Sequence, residues 1–255
     1  MIKKIIAIGG GENGRPGYPY ETKEIDQEIV NISGKENPKV LFVGTATNDD
    51  ERYFDLMSKV FKDLNCTVDS LSLTKKNYSY EELYQIITSS DIVYVGGGNT
   101  KRLLEVWREK GIDKLFDIAS ENGLVLSGLS AGSLCWFSYC NSDSLKFETG
   151  SVGLIKLDGL GFIDAVNCPH YDKEDGRKIE LKSMMKLLPD KVAIALDNCA
   201  AIEVIGNKYR IITSKATANA YRTYWIGDEY YEEIIPKSIE YANLDVLITR
   251  PKTKK

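Results

Sequence analysis

Short apolar runs that end in small residues alternate with amphipathic stretches through the first half of the chain. Ile5–Ile8 stops at Gly9-Gly10-Gly11, Val40–Val43 at Gly44-Thr45-Ala46, and Ile92–Val95 at Gly96-Gly97-Gly98, while Leu124–Leu126 leads into Gly128. The runs are rich in β-branched residues and do not alternate with polar ones, the pattern of strands covered by helices on both faces. Three helices are predicted between them. Asp49 or Asp50 caps the first, whose Phe54, Leu56, Met57, Val60, Phe61 and Leu64 form one apolar stripe. Ser79 caps the second, through Leu83, Ile86 and Ile87; Thr100 caps the third, which carries Leu103, Leu104, Val106 and Trp107 and stops at Gly111. The βαβα order calls for a mostly parallel sheet with right-handed crossovers. Glycines gathered after the strands put a ligand site at their carboxyl ends, where backbone amides can approach it closely.

The second half is richer in strands. Val192–Leu196, Ala201–Ile205, Tyr209–Thr213 and Leu244–Thr249 read as strands, with Gly206-Asn207 as a hairpin turn. A helix from about residue 178 to 188, stopped by Pro189, separates them from His170. The tyrosine-rich segment Tyr221–Tyr231 is expected to cover apolar surface, and the basic tail at 251–255 to fray. No linker, repeat or low-complexity stretch divides the chain, so one α/β domain over residues 1–250 is expected.

Composition narrows the class. With 255 residues, 43% of them hydrophobic and 27% charged, the chain can bury a sizeable core. A net charge of -4 without any long basic stretch argues against nucleic acid as a partner. The apolar stretch at Ile5–Ile8 is too short for a signal peptide, and no apolar run approaches the roughly 18 residues of a membrane span. Five scattered cysteines (Cys66, Cys135, Cys140, Cys168, Cys199) with no Cys-x-x-Cys pair, and a single histidine, make a zinc cage improbable and fit a reduced, cytoplasmic setting.

The sharpest chemical signal is Gly128-Leu129-Ser130-Ala131-Gly132, a G-x-S-x-G pentapeptide between a buried strand and a helix predicted over residues 131–140. That is the setting of a nucleophile elbow: the glycines allow a sharp turn, the Ser130 hydroxyl stands over the strand ends, and the Ala131 amide can meet an oxyanion. The plainer alternative is a small-residue turn with no chemistry. A serine nucleophile needs a base, and the chain offers one imidazole, His170, after the apolar run Phe162–Val166. A second oxyanion donor is expected from the loop Gly96-Gly97-Gly98-Asn99-Thr100. Gly9-x-Gly11-x-x-Gly14 matches a dinucleotide fingerprint in letters only, because Arg15-Pro16-Gly17-Tyr18-Pro19 follows where a helix is required. A loop bordering the active-site cleft is the better reading.

Taken in order, Gly97-Gly98-Asn99-Thr100, Gly128–Gly132, Pro169-His170 and Leu196-Asp197-Asn198 resemble the peptidase E (aspartyl dipeptidase) and cyanophycinase family of serine peptidases, over roughly residues 1–215. The resemblance implies a three-layer α/β sandwich with a mostly parallel central sheet, like the class I glutamine amidotransferases but with serine for cysteine; the strand pattern of the second half adds a hairpin-rich C-terminal part. It implies Ser130 as nucleophile, His170 as general base, and the amides of Ala131 and of Gly97 or Gly98 as oxyanion donors. The family commonly places a glutamate where Asn198 aligns. Asn198 is the expected third member, since asparagine can accept the ring N–H although it brings no charge; Asp197, which faces the opposite way along a strand, and Asp143 stay open as alternatives. Substrate contacts are expected from Asn99 and from Arg177, in Asp175-Gly176-Arg177, where a guanidinium would hold an aspartyl carboxylate. The plainer reading of Arg177 is an exposed residue in a first helical turn. The expected activity is hydrolysis of short peptides, Asp-Xaa dipeptides among them, without metal or organic cofactor. An esterase or amidase on a non-peptide acyl compound, and a non-catalytic small-ligand-binding relative motivated by Asn198, are the rival readings. Oligomeric state is not fixed, and a homodimer stays open.

Overall fold

The strand β1 (Lys4–Ile8) shows why its run is continuously apolar: Ile5 and Ala7 face one cluster of core side chains, Ile6 and Ile8 another. The computed structural model describes residues 2–151, 153–173 and 176–251. After β1 come α1 (Lys23–Ser33), β2 (Lys39–Val43), α2 (Glu51–Asp63), β3 (Thr67–Leu71), α3 (Tyr80–Thr88), β4 (Ile92–Val95), α4 (Thr100–Lys110), α5 (Ile112–Glu121) and β5 (Val125–Leu129). The short α6 (Ala131–Leu134) leads to β6 (Phe137–Ser142), α7 (Ser144–Thr149), β7 (Ile155–Asp158), β8 (Ile163–Cys168), α8 (Arg177–Met185) and β9 (Ala193–Leu196). The chain closes with β10 (Ala200–Ile205), β11 (Lys208–Thr213), β12 (Ala220–Ile226), β13 (Glu229–Ile234), β14 (Ala242–Asn243) and α9 (Leu244–Ile248).

Among the described residues these strands form two sheets. The first has the order β14-β11-β10-β1-β5-β4-β2-β3, and its block β1-β5-β4-β2-β3 is parallel throughout. On the other side of β1, β10, β11 and β14 run antiparallel, so the sheet is mixed. The second sheet, β13-β12-β9-β8-β6-β7, is also mixed, with β6-β8-β9 parallel at its centre. Ile25 and Ile29 of α1 and Met57 and Phe61 of α2 cover one face of the first sheet. Its other face shares a cluster with α3, α4, α5 and the second sheet, Ala7 and Leu126 joining Ile163 and Ile194. Leu181, Met184 and Met185 of α8 back the second sheet, with Tyr230 of the tyrosine-rich hairpin against Trp225 and Tyr221 against Tyr171. Among the described residues no helix is long and apolar enough to cross a membrane.

Several elements differ from the sequence expectation. The helix after Ser130 stops at Leu134 instead of residue 140, because Phe137–Ser142 pairs with β7 and β8. Leu244–Thr249 is not a strand: Asn243 caps a helix by accepting the Val246 N–H, and Leu244 and Leu247 are buried while Val246 is 71% exposed. Burial three residues apart is helical spacing. Asn99, not Thr100, caps α4, its Oδ1 accepting the Arg102 N–H at 3.1 Å. Ser79 and Glu82 form the full reciprocal cap of α3, and Gly111 ends α4 in the left-handed conformation. Residues 252–255 of the tail expected to fray lie outside the described residues.

Candidate active site

Three successive carbonyls at the end of β1 hold the candidate residues. Ile8 O accepts the Ser130 N–H at 3.0 Å, Gly9 O the His170 N–H at 3.0 Å, and Gly10 O the Cys199 N–H at 2.8 Å. The parallel register brings this about: Ile8 lies opposite Leu129, so β1 and β5 end side by side and the turn at Ser130 follows at once. Ser130, His170 and Cys199 all have positive φ, 57°, 53° and 65°. Such a backbone costs on the order of 1–3 kcal/mol per residue and persists where neighbouring contacts enforce it. Here each strained residue is tied through its own amide to a rigid strand end.

The side chains converge accordingly. Ser130 Oγ lies 2.9 Å from His170 Nε2, and His170 Nδ1 lies 2.6 Å from Asn198 Oδ1. Gly10 makes room for the pair, since a Cβ there would sit 2.1 Å from Asn198 Oδ1 and 2.3 Å from His170 Nδ1. The glycine motif after β1 thus borders the candidate site with bare backbone. Asn198 is anchored by its own N–H, which donates to Asp172 Oδ1 at 2.7 Å. Asp197 faces elsewhere: its Oδ2 accepts the Asn219 N–H at 2.9 Å, and burial pushes its carboxyl above the usual range. Asp143 lies 3.7 Å from the Arg177 guanidinium. Of the three side chains open for the third position, Asn198 is the one whose oxygen reaches the ring.

The glycines on either side of Ser130 serve close packing. A Cβ on Gly132 would lie 2.1 Å from Val95 O, and one on Gly128 2.6 Å from both Val95 O and Gly132 O. The turn therefore rests on the end of β4, next to the loop that follows it. In that loop Gly97 abuts the turn at Ser130, its Cβ position 3.4 Å from Ser130 Cβ, and Gly98 takes φ 136° against the Ala46 carbonyl. Ala131 opens α6, so its N–H has no intrahelical acceptor. Sequence reasoning missed one contact to this loop: the Gly97 N–H donates to the Tyr53 hydroxyl at 3.3 Å. Tyr53 shares the four-residue spacing of Met57 and Phe61 and packs on the same cluster, so the local pattern marks its ring as part of the apolar stripe and gives no sign of the hydroxyl's partner.

The two expected substrate contacts have structural partners. Asn99 is buried and caps α4. Arg177 is not exposed in a first turn but 1% accessible, donating to the Asn141 carbonyl at 3.4 Å with Asp143 close by. Asp175, which belongs to the same expected motif, lies outside the described residues. Among the described residues, no group of three or more His, Cys, Asp or Glu side chains could hold a metal ion.

Comparison with known proteins fits this architecture. The uncharacterized peptidase YgaJ of Bacillus subtilis (strain 168) is 35% identical over 247 residues, 94% of this chain and 99% of the relative. Peptidase E of a Nostoc species is 25% identical over 260 residues, 98% of each chain. A peptidase from an acI-B1 Actinobacterium has a similar fold, with a TM-score of 0.71 at 17% identity, covering 95% of this chain and 97% of the other. The family described as Peptidase family S51 matches residues 5–212, which run from β1 to β11 and include every candidate residue above. That span, with a nearly full-length relative at 35% identity, makes the chain a peptidase of family S51.

Proposed function

We infer that the chain is a serine-type peptidase acting on short peptides, with Ser130 as nucleophile, His170 as general base and Asn198 as the residue that orients the imidazole. The observation that carries this reading is the continuous relay from Ser130 Oγ through both ring nitrogens to Asn198 Oδ1, at 2.9 and 2.6 Å. An amide oxygen at Nδ1 calls for the tautomer with its proton on Nδ1. Nε2 is then left with a lone pair for the serine proton. Ser130 Oγ attacks the peptide carbonyl as its proton passes to Nε2, and the bond to the leaving amine breaks as that proton is handed on. Water then repeats the sequence on the acyl-enzyme, and the serine hydroxyl is restored. The Ala131 N–H and a glycine amide of the loop after β4 face the charge that develops on the carbonyl oxygen, each contributing on the order of 3 kcal/mol. Asn198 brings no charge to the imidazolium, so the Asp172 carboxylate bonded to its backbone is the acidic group held nearest in that chain of contacts. The layering that supports this reading resembles the class I glutamine amidotransferases: a parallel block with α1 and α2 on one face and α3–α5 on the other.

Asp-Xaa dipeptides are the first substrates to try. Arg177 is the cation expected to hold an aspartyl carboxylate, and it would have to exchange Asp143 for it. Ser130→Ala and His170→Ala should each abolish turnover of an Asp-Xaa and Ala-Xaa panel, and Ser130→Ala should abolish labelling by a fluorophosphonate probe. Full turnover in either variant removes the proposal. A labelled wild type that cleaves acyl esters and no peptide turns it toward an esterase.

A further inference from the structure

The loop after β4 offers two glycine amides to an oxyanion, and they are not equivalent. The Gly97 N–H is taken up by the Tyr53 hydroxyl. Among the described residues the Gly98 N–H meets no acceptor, while the chain on either side of it is fastened: Gly96 N–H to Val43 O at 3.1 Å and Asn99 N–H to Ala46 O at 2.9 Å. At 3.3 Å the bond to Tyr53 is long, so the ring shares the work. A Cβ on Gly96 would lie 2.7 Å from Tyr53 Cε1, and the ring is itself held edge-on by Phe42, with centroids 5.2 Å apart.

We propose that Tyr53 is the positioning residue of the oxyanion loop: its hydroxyl takes the Gly97 N–H and its ring supports Gly96, which leaves the Gly98 N–H as the loop's donor to the tetrahedral oxyanion. This rests on the serine-peptidase reading above. Tyr53 acts through backbone, since Gly97 is the residue that abuts Ser130 and the Gly97–Gly98 peptide follows directly from it. An acceptor that holds one amide keeps the next from turning to serve two directions. A donor misplaced by about an ångström loses much of its value in the transition state while substrate binding is little changed. Burial pushes the Tyr53 phenol up to about 12, so it keeps its proton and accepts as a neutral hydroxyl throughout the working range.

The test is Tyr53→Phe, which keeps the ring and removes the acceptor. Its rate of fluorophosphonate labelling and its kcat on the peptide panel should fall roughly tenfold, with KM within about twofold and the melting temperature unchanged. Equal labelling and kcat would overturn the inference. So would a rise in KM that accounts for the whole loss, or a drop in melting temperature that tracks it. The Ser130→Ala control separates the two levels. If the probe labels Ser130 in the wild type, and Tyr53→Phe reacts as fast, this inference alone falls. If the probe does not label the wild type, the peptidase reading falls and takes this inference with it.

Discussion

Asn198 is where the residue-level chemistry is most exposed to test. Its amide oxygen at 2.6 Å from His170 Nδ1 can hold the ring and choose the tautomer, but a dipole stabilises an imidazolium less than a carboxylate does. Asn198→Asp adds that charge at the same place. A neighbouring carboxylate favours the protonated ring and raises its pKa. The acid limb of the kcat/KM profile should therefore move to higher pH, with a higher plateau. Asn198→Ala should lower kcat by roughly a hundredfold, the scale of one misdirected proton transfer. A pH–rate profile of the two variants checks both statements, and an unmoved limb in Asn198→Asp would show that position 198 is electrically remote from the base.

At the scale of elements, the site is built from the ends of β1, β4, β5, β8 and β9, and β1 is its hub. Its last carbonyl and the next two hold the amides of Ser130, His170 and Cys199. A methyl group on Gly10 would collide with both partners of the His170–Asn198 contact. Gly10→Ala should therefore cost about two orders of magnitude in turnover by displacing the ring, with cooperative unfolding retained. Kinetics and thermal melts on one preparation decide it. The strands of the parallel block were legible because double-sided burial leaves uninterrupted apolar runs. β3 was not, since as an edge strand it exposes Thr67, Asp69 and Ser70. α9 was misread because five residues are too few to display a helical period among β-branched side chains.

For the molecule as a whole, a buried carboxylate sets an expected pH dependence of stability. Asp26 on α1 is fully enclosed, accepts from Tyr20 Oη at 3.0 Å and Thr22 Oγ1 at 2.7 Å, and has Tyr53 and Tyr94 nearby. Burial pushes its carboxyl from 3.8 up to about 7. The native state therefore holds a proton that the unfolded chain has released between those two values. The resulting stability is complete below about pH 4 and is lost as pH rises through 7, with a span of about 4 kcal/mol as an upper scale. Asp26→Asn removes the titration with little change of shape. The melting temperature of Asp26→Asn minus that of the wild type should grow by several degrees from pH 5 to pH 8. A constant difference would mean that Asp26 does not titrate in this window.

The sequence by itself determined the strands β1, β2, β4 and β5, the helices α2, α3 and α4 between them, the cap at Ser79, the stop at Gly111 and the sharp glycine-flanked turn at Ser130, because each rests on local rules: burial period, capping chemistry and turn sterics. With one histidine in the chain, it also determined which imidazole could serve the serine. Only the tertiary structure decided that the two meet, since residues 40 apart are joined by the register of β1 with β5 and by carbonyls on a third segment. The same holds for Asn198 over Asp197, a choice of direction at one turn, and for Arg177, whose burial beside Asp143 no local pattern announces. It holds for Tyr53 as well: its role comes from a loop 44 residues away, and contacts of that range leave no period in the sequence.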